Sequence, residues 1–362
     1  MAEADRAAEA ILRYPVDSVT RPLTWLFVLG AGATALGQQA AFDRLPPEWL
    51  DARPPSARVA GAPGRMAVRD RECRPRPAAD VRRRIIDLAV QEWAYFGFSV
   101  VDQTDDGEEP AGSGRRARRG WRRRGGNAES ARVASSIAGY WAVTPNGAWI
   151  LDAQNAIWRE PGRETDRWRY AWSAAFVSWV MCESGLSATA QFQRAVAHHT
   201  YIDQAIRARD RGALRAAFAA FDAGERAIAP GDLLCTARRP AYRTLGERRP
   251  QMGEGARTHC DIVVKVDAAA ARLFAIGGNV RGTVGLKAMP LERAAELRVV
   301  TPDTARGRPI FAHLQLADAY AFADVFDASP AVRALGCGRP TPSAAWRTAA
   351  DLVAPGGLDC AQ

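Results

Sequence analysis

The order of the predicted elements assigns this chain to the α+β class. Helical apolar periodicity dominates from about Asp80 to Ala223, and short apolar or alternating runs bounded by turn residues follow. Because helices come first and strands afterwards, we expect N-terminal helices packed on an antiparallel sheet. A composition of 48% hydrophobic and 25% charged residues is globular and excludes a wholly disordered or polytopic membrane chain.

Residues 1–43 are interpreted as a signal peptide or a single membrane anchor. No charged residue occurs from Pro22 to Phe42, and the apolar run follows Arg21. Small residues around Ala35–Ala40 suit a cleavage site, whereas about 20 apolar residues would suffice to span a bilayer. A buried helix is the third alternative. We favour export, to the periplasm or cell envelope.

The rest of the chain divides by composition into a linker, one domain and a tail. Residues 44–79 are rich in proline and arginine and lack apolar periodicity, which predicts a linker. The domain is expected over residues 80–325, with a polar, arginine-rich insertion at 105–127. Residues 326–362 are rich in alanine, proline and glycine and are expected to form a loose tail.

The arginine cluster Arg115–Arg124 has two alternative interpretations. The chain carries 49 basic and 40 acidic residues, a net charge of +9, and this cluster can bind an anionic polymer. Its glycine and serine flanks favour a solvated loop instead. No base-reading motif accompanies it, so no specific nucleic-acid partner is expected.

The sequence predicts three helices, each of which has at least one apolar face. The first begins near Asp80, the second covers about Glu129–Trp141, and the third runs from Ser173 to about Ser184. The third is apolar nearly all round and should be buried. A helical stretch over His198–Ala223 precedes the strands. The predicted strands are short runs separated by turn residues: Gly231–Cys235, Asp261–Val266, Arg272–Ile276, Leu297–Val300 and Ile310–Leu316.

The six cysteines predict no structural metal site, and no cofactor is implied. No C-x-x-C pair occurs, and no cysteine–histidine cluster has zinc spacing. Cys235 ends a strand that would pair near Cys260, so these two thiols are expected to be buried hydrophobes or a disulfide. Cys260 alternates to the face opposite His259, so we do not expect it to be a nucleophile.

A predicted hairpin brings polar residues together. A turn centred on Ala269 pairs Ile262 with Ile276 and Val264 with Phe274, and the same register sets His259 opposite Asn279. An amide beside an imidazole can hold a base in one tautomer and orientation. Asp261 lies on the same side of the strand as His259, where it can tune the imidazole or bind a substrate amine.

Ser173, at the start of the third helix, has two alternative roles. As an N-cap it would accept a hydrogen bond from a free amide of the first turn. As a nucleophile it would profit from the helix dipole, which favours developing negative charge.

Taken together, these motifs resemble the papain-like peptidoglycan amidases of the CHAP and NlpC type. Residues of about 80–316 more closely resemble a bacterial family, domain of unknown function 2272. The segments that carry the resemblance are short sequence motifs: Trp172–Phe176, His198–Ile202, Pro230–Leu234, His259–Val263 and Gly278–Asn279.

The resemblance implies a papain-like fold in which Ser173 is the nucleophile, His259 the general base and Asn279 the orienting residue. The amidases have cysteine where this chain has serine, and serine can perform acyl transfer with the same partners or mark a lost activity. The favoured function is an exported hydrolase or acyltransferase acting on peptide amide bonds of a cell-wall peptide or glycopeptide. The alternatives are a non-catalytic cell-wall or partner-binding module and a polyanion-binding protein. The residues expected to bind substrate are Trp172, His198, Tyr201 and Asp261.

Overall fold

The structure is a computed structural model that describes residues 44–103, 127–164, 166–213, 215–294, 297–300, 308–317 and 326–337. The predicted signal or anchor at 1–43 and the arginine cluster Arg115–Arg124 lie outside the described residues. The described residues belong to one compact unit, Phe42–Gln362. In this part of the chain, no helix has both the length and the apolar character needed to cross a membrane.

The fold is mixed α+β and is built on one large sheet. Its strands lie in the order β3-β8-β7-β6-β5-β10-β4, and β9 pairs with β8. All neighbours are antiparallel except β3 and β8, which are parallel. The strands are β3 Ser99–Asp102, β4 Phe218–Phe221, β5 Leu233–Arg239, β6 Arg257–Asp267, β7 Arg272–Val280, β8 Thr283–Ala294, β9 Leu297–Val300 and β10 Ile310–Leu316. A separate two-stranded ladder joins β1 Val59–Ala60 to β2 Ala67–Val68.

One helix of the described residues is buried in the core, between two other helices and the sheet. The helices are α1 Pro47–Leu50, α2 Ala78–Tyr95, α3 Asn127–Ala142, α4 Gly147–Trp158, α5 Ser173–Glu183, α6 His198–Arg211, α7 Leu245–Arg248 and α8 Pro330–Cys337. Every residue of α5 is buried, as predicted from a sequence that is apolar nearly all round. Helix α5 packs on β6 and β7 on one side and on α2 and α3 on the other, so the sheet and the helices share one core.

Part of the predicted helical stretch over His198–Ala223 is wrong. Helix α6 ends at Arg211 because Gly212 adopts a left-handed conformation with φ 63°. Phe218–Phe221 then forms β4, in which buried and half-buried residues alternate with the period of a strand.

The hairpin register is confirmed in part. Ile262 lies opposite Ile276, but the pairing shifts between Val263 and Lys265, so Lys265 rather than Val264 faces Phe274. An extra residue in one strand moves every later pair by one position.

The two cysteines expected to meet do so. Cys235 and Cys260 are opposite each other in β5 and β6 and form a disulfide.

Residues 44–79 pack on the domain, although their composition predicts a linker. Cys73 is disulfide-bonded to Cys182 of α5, and Arg58 is buried in an ion pair with Glu183. Composition misled here because two of the arginines that suggested a solvated segment, Arg44 and Arg58, pair with Glu92 and Glu183 of the domain. The start of the predicted loose tail is also packed, since α8 contacts α2 and Phe326 is buried.

The G-D-L motif is a structural junction between β5 and β10. Asp232 is buried and accepts hydrogen bonds from His313 Nε2 at 2.8 Å and from the backbone amides of Leu316 and Ala229, each at 3.0 Å. The buried guanidinium of Arg82 also donates to Asp232 Oδ1 at 3.4 Å, so four donors satisfy this carboxylate. This motif therefore joins strands.

Candidate functional site

Ser173 is the first residue of α5 and does not cap it. The N-cap position belongs to Trp172, and the Ser173 Oγ lies 2.7 Å from His198 Nε2. The N-cap alternative is thus wrong. Ser173 is 8% exposed, so its hydroxyl lies just beneath the surface at the positive end of a buried helix.

His198 is the first residue of α6 and is held at both ring nitrogens. Its Nδ1 contacts the Tyr201 hydroxyl one turn later, and the backbone N–H of Cys260 donates to the same nitrogen at 3.2 Å. Burial lowers the pKa of His198 well below its ordinary value, and the neighbouring His259 lowers it further. His198 is therefore neutral at pH 7.

A second group of polar side chains lies on the sheet. His259 Nε2 is 2.9 Å from Asp261 Oδ1, and Lys287 Nζ is 2.6 Å from Asp261 Oδ2. Burial by itself would raise the pKa of Asp261, but the charges of Lys287 and His259 hold it well below its usual range. Asp261 is therefore an ionised, acceptor-only group between two donors.

Gly277 makes this second group possible. Asp261 lies on β6 and Lys287 on β8, with β7 between them. A Cβ atom on Gly277 would lie 2.0 Å from Asp261 Oδ1 and 3.1 Å from His259 Nε2. The missing side chain leaves the space in which the two charged groups meet across the middle strand.

The two groups form one site. The rings of His198 and His259 are in edge contact, with their centroids 5.2 Å apart. Tyr201 is also buried, and burial together with the charge of Asp261 raises the pKa of its hydroxyl well above its ordinary value. A buried serine, two imidazoles, a phenol, a carboxylate and an ammonium group are therefore linked by a continuous series of contacts. Such a concentration of shifted titratable groups is typical of functional sites.

The partner predicted for Ser173 requires a correction. Its hydrogen bond goes to His198, which we expected to line a substrate cleft, and within the described residues none joins Ser173 to His259. His259 was predicted from the strand hairpin and the motifs alone, which do not show how other elements pack against the hairpin. The start of α6 packs against β6, and this tertiary contact brings His198 to the serine.

The partner predicted for His259 also requires a correction. Asp261 contacts the imidazole, and the regular β6–β7 pairing does not extend to Asn279. Asn279 has a left-handed backbone, φ 57°, in the irregular end of β7. A residue with this backbone leaves the alternation of the strand, so the predicted cross-strand pair is not formed.

Trp172 and Tyr201 were expected to bind substrate and are core residues instead. Trp172 is 2% exposed and stacks on Tyr140 with ring centroids 5.9 Å apart. The hydroxyl of Tyr201 is hydrogen-bonded to His198 Nδ1 and helps to hold the imidazole in place.

Sequence reasoning missed Lys287 and Gly277. The chain contains only two lysines among its 49 basic residues, and that rarity is the signal that could have singled out Lys287. The pair Gly277–Gly278 inside a strand pattern is the corresponding signal for a close approach. Among the residues that the structure describes, no group of three His, Cys, Asp or Glu side chains is arranged to hold a metal ion.

The chain belongs to a bacterial family, described as uncharacterized protein conserved in bacteria (DUF2272). The family model matches residues 129–315, slightly more than half of the chain. Ser173, His198, Tyr201, His259, Asp261, Gly277 and Lys287 all lie within the matched region. Comparison with curated proteins and with solved structures gave no match.

Proposed function

We propose that this protein is a serine-dependent hydrolase or acyltransferase that acts on peptide amide bonds of the bacterial cell wall. One observation carries the proposal: a buried serine hydroxyl at the start of helix α5 is hydrogen-bonded to a neutral imidazole, 2.7 Å away, beside a second imidazole paired with a carboxylate. A nucleophile, an imidazole and a group that orients the imidazole are the components of a serine acyl-transfer site, and here they are divided between two adjacent imidazoles.

The proposed chemistry uses the position of Ser173 on its helix. Its Oγ attacks the amide carbonyl carbon while an imidazole takes the hydroxyl proton and later transfers it to the leaving amine. The developing oxyanion lies near the first-turn amides, which have no intrahelical acceptor. Water or a second amine then attacks the acyl-serine ester. The acyl group leaves as an acid or an amide, and the Ser173 hydroxyl is restored for another cycle.

Two further features support a cell-wall substrate. The motifs around Ser173 and His259 resemble those of papain-like peptidoglycan amidases. The disulfides Cys73–Cys182 and Cys235–Cys260 are typical of an oxidising compartment, which supports export. The papain-like fold and the envelope location are parts of this proposal.

The test combines a reactive probe with a substrate assay. A fluorophosphonate forms a phosphorus–oxygen bond to an activated serine and expels fluoride, so intact mass after labelling counts such serines. We expect one label on the wild type and none on Ser173→Ala. Ser178→Ala is the matched control, because Ser178 lies on the same buried helix and its hydroxyl bonds only to the backbone of Ala195. Purified peptidoglycan should release new amine or carboxyl termini with the wild type and the control only.

Two outcomes would overturn the proposal. Retention of full activity by Ser173→Ala would remove this residue from catalysis. A folded wild type that neither reacts with the probe nor cleaves peptidoglycan would favour the second candidate, a cell-wall-binding module. The 8% exposure of Ser173 favours that alternative, and sedimentation of the protein with insoluble peptidoglycan measures it directly.

A further inference from the structure

We infer that His198 is a fixed hydrogen-bond donor that positions Ser173, and that His259, oriented by Asp261 instead of Asn279, is the base that takes the serine proton. The assignment of His198 rests on its contacts alone. The catalytic role of His259 rests on the proposed function.

The contacts of His198 Nδ1 determine its tautomer. The backbone N–H of Cys260 can only donate, and it points at this nitrogen from 3.2 Å. Nδ1 must therefore present its lone pair, which also suits the hydroxyl of Tyr201 as a donor. A neutral imidazole with a bare Nδ1 carries its proton on Nε2. The 2.7 Å contact is consequently an N–H of His198 donating to the Ser173 oxygen.

The same contacts make His198 unsuitable as the general base. To accept the serine proton, Nε2 would need a lone pair, and the ring proton would then lie on Nδ1. That proton would face the Cys260 N–H, so two donors would oppose each other in a buried site. Protonation of both nitrogens would create the same conflict and add a buried charge next to His259.

His259 carries its ring proton on the same nitrogen as His198, but in His259 that nitrogen faces a carboxylate. The ionised Asp261 only accepts, so the 2.9 Å contact requires the proton of His259 on Nε2. In the neutral form of His259, Nδ1 therefore holds a lone pair that can accept a proton. Lys287 saturates the second oxygen of Asp261 from 2.6 Å, which keeps the carboxylate aimed and charged.

The donors thus run in fixed directions: His198 donates to Ser173, while His259 and Lys287 donate to Asp261. Ser173 accepts from His198 and keeps its own proton for another acceptor. The ring of His259 is in edge contact with the ring of His198, with 5.2 Å between centroids, and we assign that acceptor role to His259.

Nitrogen NMR of the full chain tests the tautomers without any reference to activity. The chain has only four histidines, so ring ¹⁵N signals can be assigned by single substitutions. We expect His198 to show a protonated Nε2 and a bare Nδ1 at pH 8, where the neutral imidazole is observed. A proton on Nδ1 of His198 would overturn the inference.

Kinetics of probe labelling test the roles. Glutamine keeps an N–H donor close to the imidazole Nε2 position, and its amide cannot act as a base near neutral pH. We expect His198→Gln to label Ser173 within about tenfold of the wild type, and His198→Ala to label more slowly. We expect the labelling rate of His259→Gln to fall on the order of 10²-fold or more, since general-base catalysis contributes about that much.

The matched control is His199→Gln, because the adjacent His199 bonds to the Ala256 carbonyl, 3.2 Å away, and takes no part in the proposed reaction. Circular dichroism verifies that each variant is folded. Equal, complete losses in His198→Gln and His259→Gln would contradict the assignment of roles. If the wild type never labels, the proposed function fails, whereas the NMR result still decides the tautomer of His198.

Discussion

Substituting alanine for Gly277 should separate His259 from Asp261 while leaving all the polar groups in the chain. The new methyl carbon would lie 2.0 Å from Asp261 Oδ1, and β7 cannot retreat because it is hydrogen-bonded to β6 and β8 on both sides. The carboxylate must therefore withdraw by about 1.5 Å to reach an ordinary contact of ~3.5 Å.

That displacement is large compared with the hydrogen bond it disturbs. The contact between His259 and Asp261 is 2.9 Å, so a shift of this size takes it beyond hydrogen-bonding distance. Loss of one hydrogen bond to a charged group lowers the free energy of unfolding by about 1.5–3 kcal/mol. A base misplaced by ~1 Å costs on the order of 10²-fold in rate.

Three measurements on Gly277→Ala check this: the urea midpoint, the rate of fluorophosphonate labelling, and the ¹⁵N signal of the His259 ring. Gly255→Ala is the control, because its methyl group would have no atom within 4 Å. A Gly277→Ala protein with an unchanged His259 signal and a labelling rate within twofold of the wild type would refute the reasoning.

Three further predictions concern stability. Cys73→Ser should lower the free energy of unfolding by about 2–4 kcal/mol through loss of the disulfide to α5, and an unchanged urea midpoint would contradict this. Arg248→Met leaves the carboxylate of Asp203 buried without its bidentate partner and should cost about 3–5 kcal/mol, whereas Arg249→Met, which breaks an exposed pair, should cost under ~1 kcal/mol by the same assay. Burial raises the pKa of Asp87 from its ordinary value of 3.8 to about 6, so the contribution of Asp87 to the free energy of unfolding is full below about pH 4 and declines as pH rises to about 6. Asp87→Asn should abolish that decline and raise stability at pH 7 by about 3 kcal/mol, which thermal unfolding between pH 4 and pH 7 measures.

Local patterns were sufficient to predict much of the fold. The apolar run after Ser173 predicts a buried helix because no polar face interrupts it, and α5 is buried throughout. The pairing of Ile262 with Ile276 and the proximity of Cys235 to Cys260, as a disulfide or as buried hydrophobes, were expected from the strand pattern, and the structure has the disulfide. These features depend on residues that are close in sequence or related by one turn.

The site itself depends on contacts between distant elements. His198 reaches Ser173 because α6 packs on β6, and no periodicity in the sequence indicates that packing. Lys287 and Asp261 lie on strands that are separated by β7. They reach each other because β7 has a glycine, Gly277, at that position. Strand order and local bulges are set by the whole core. Most residues of the site could therefore be predicted from the sequence, whereas the contacts between them could not.

The disulfide between Cys73 and Cys182 also determines how the chain behaves when it is cut. The two cysteines are 109 positions apart, and the arginines of Arg115–Arg124 lie between them in the sequence. Cleavage of a peptide bond after any of these arginines, for instance by trypsin, would leave two fragments within one covalent molecule. The nicked protein would migrate as a single band in gel electrophoresis without reductant and as two bands with it.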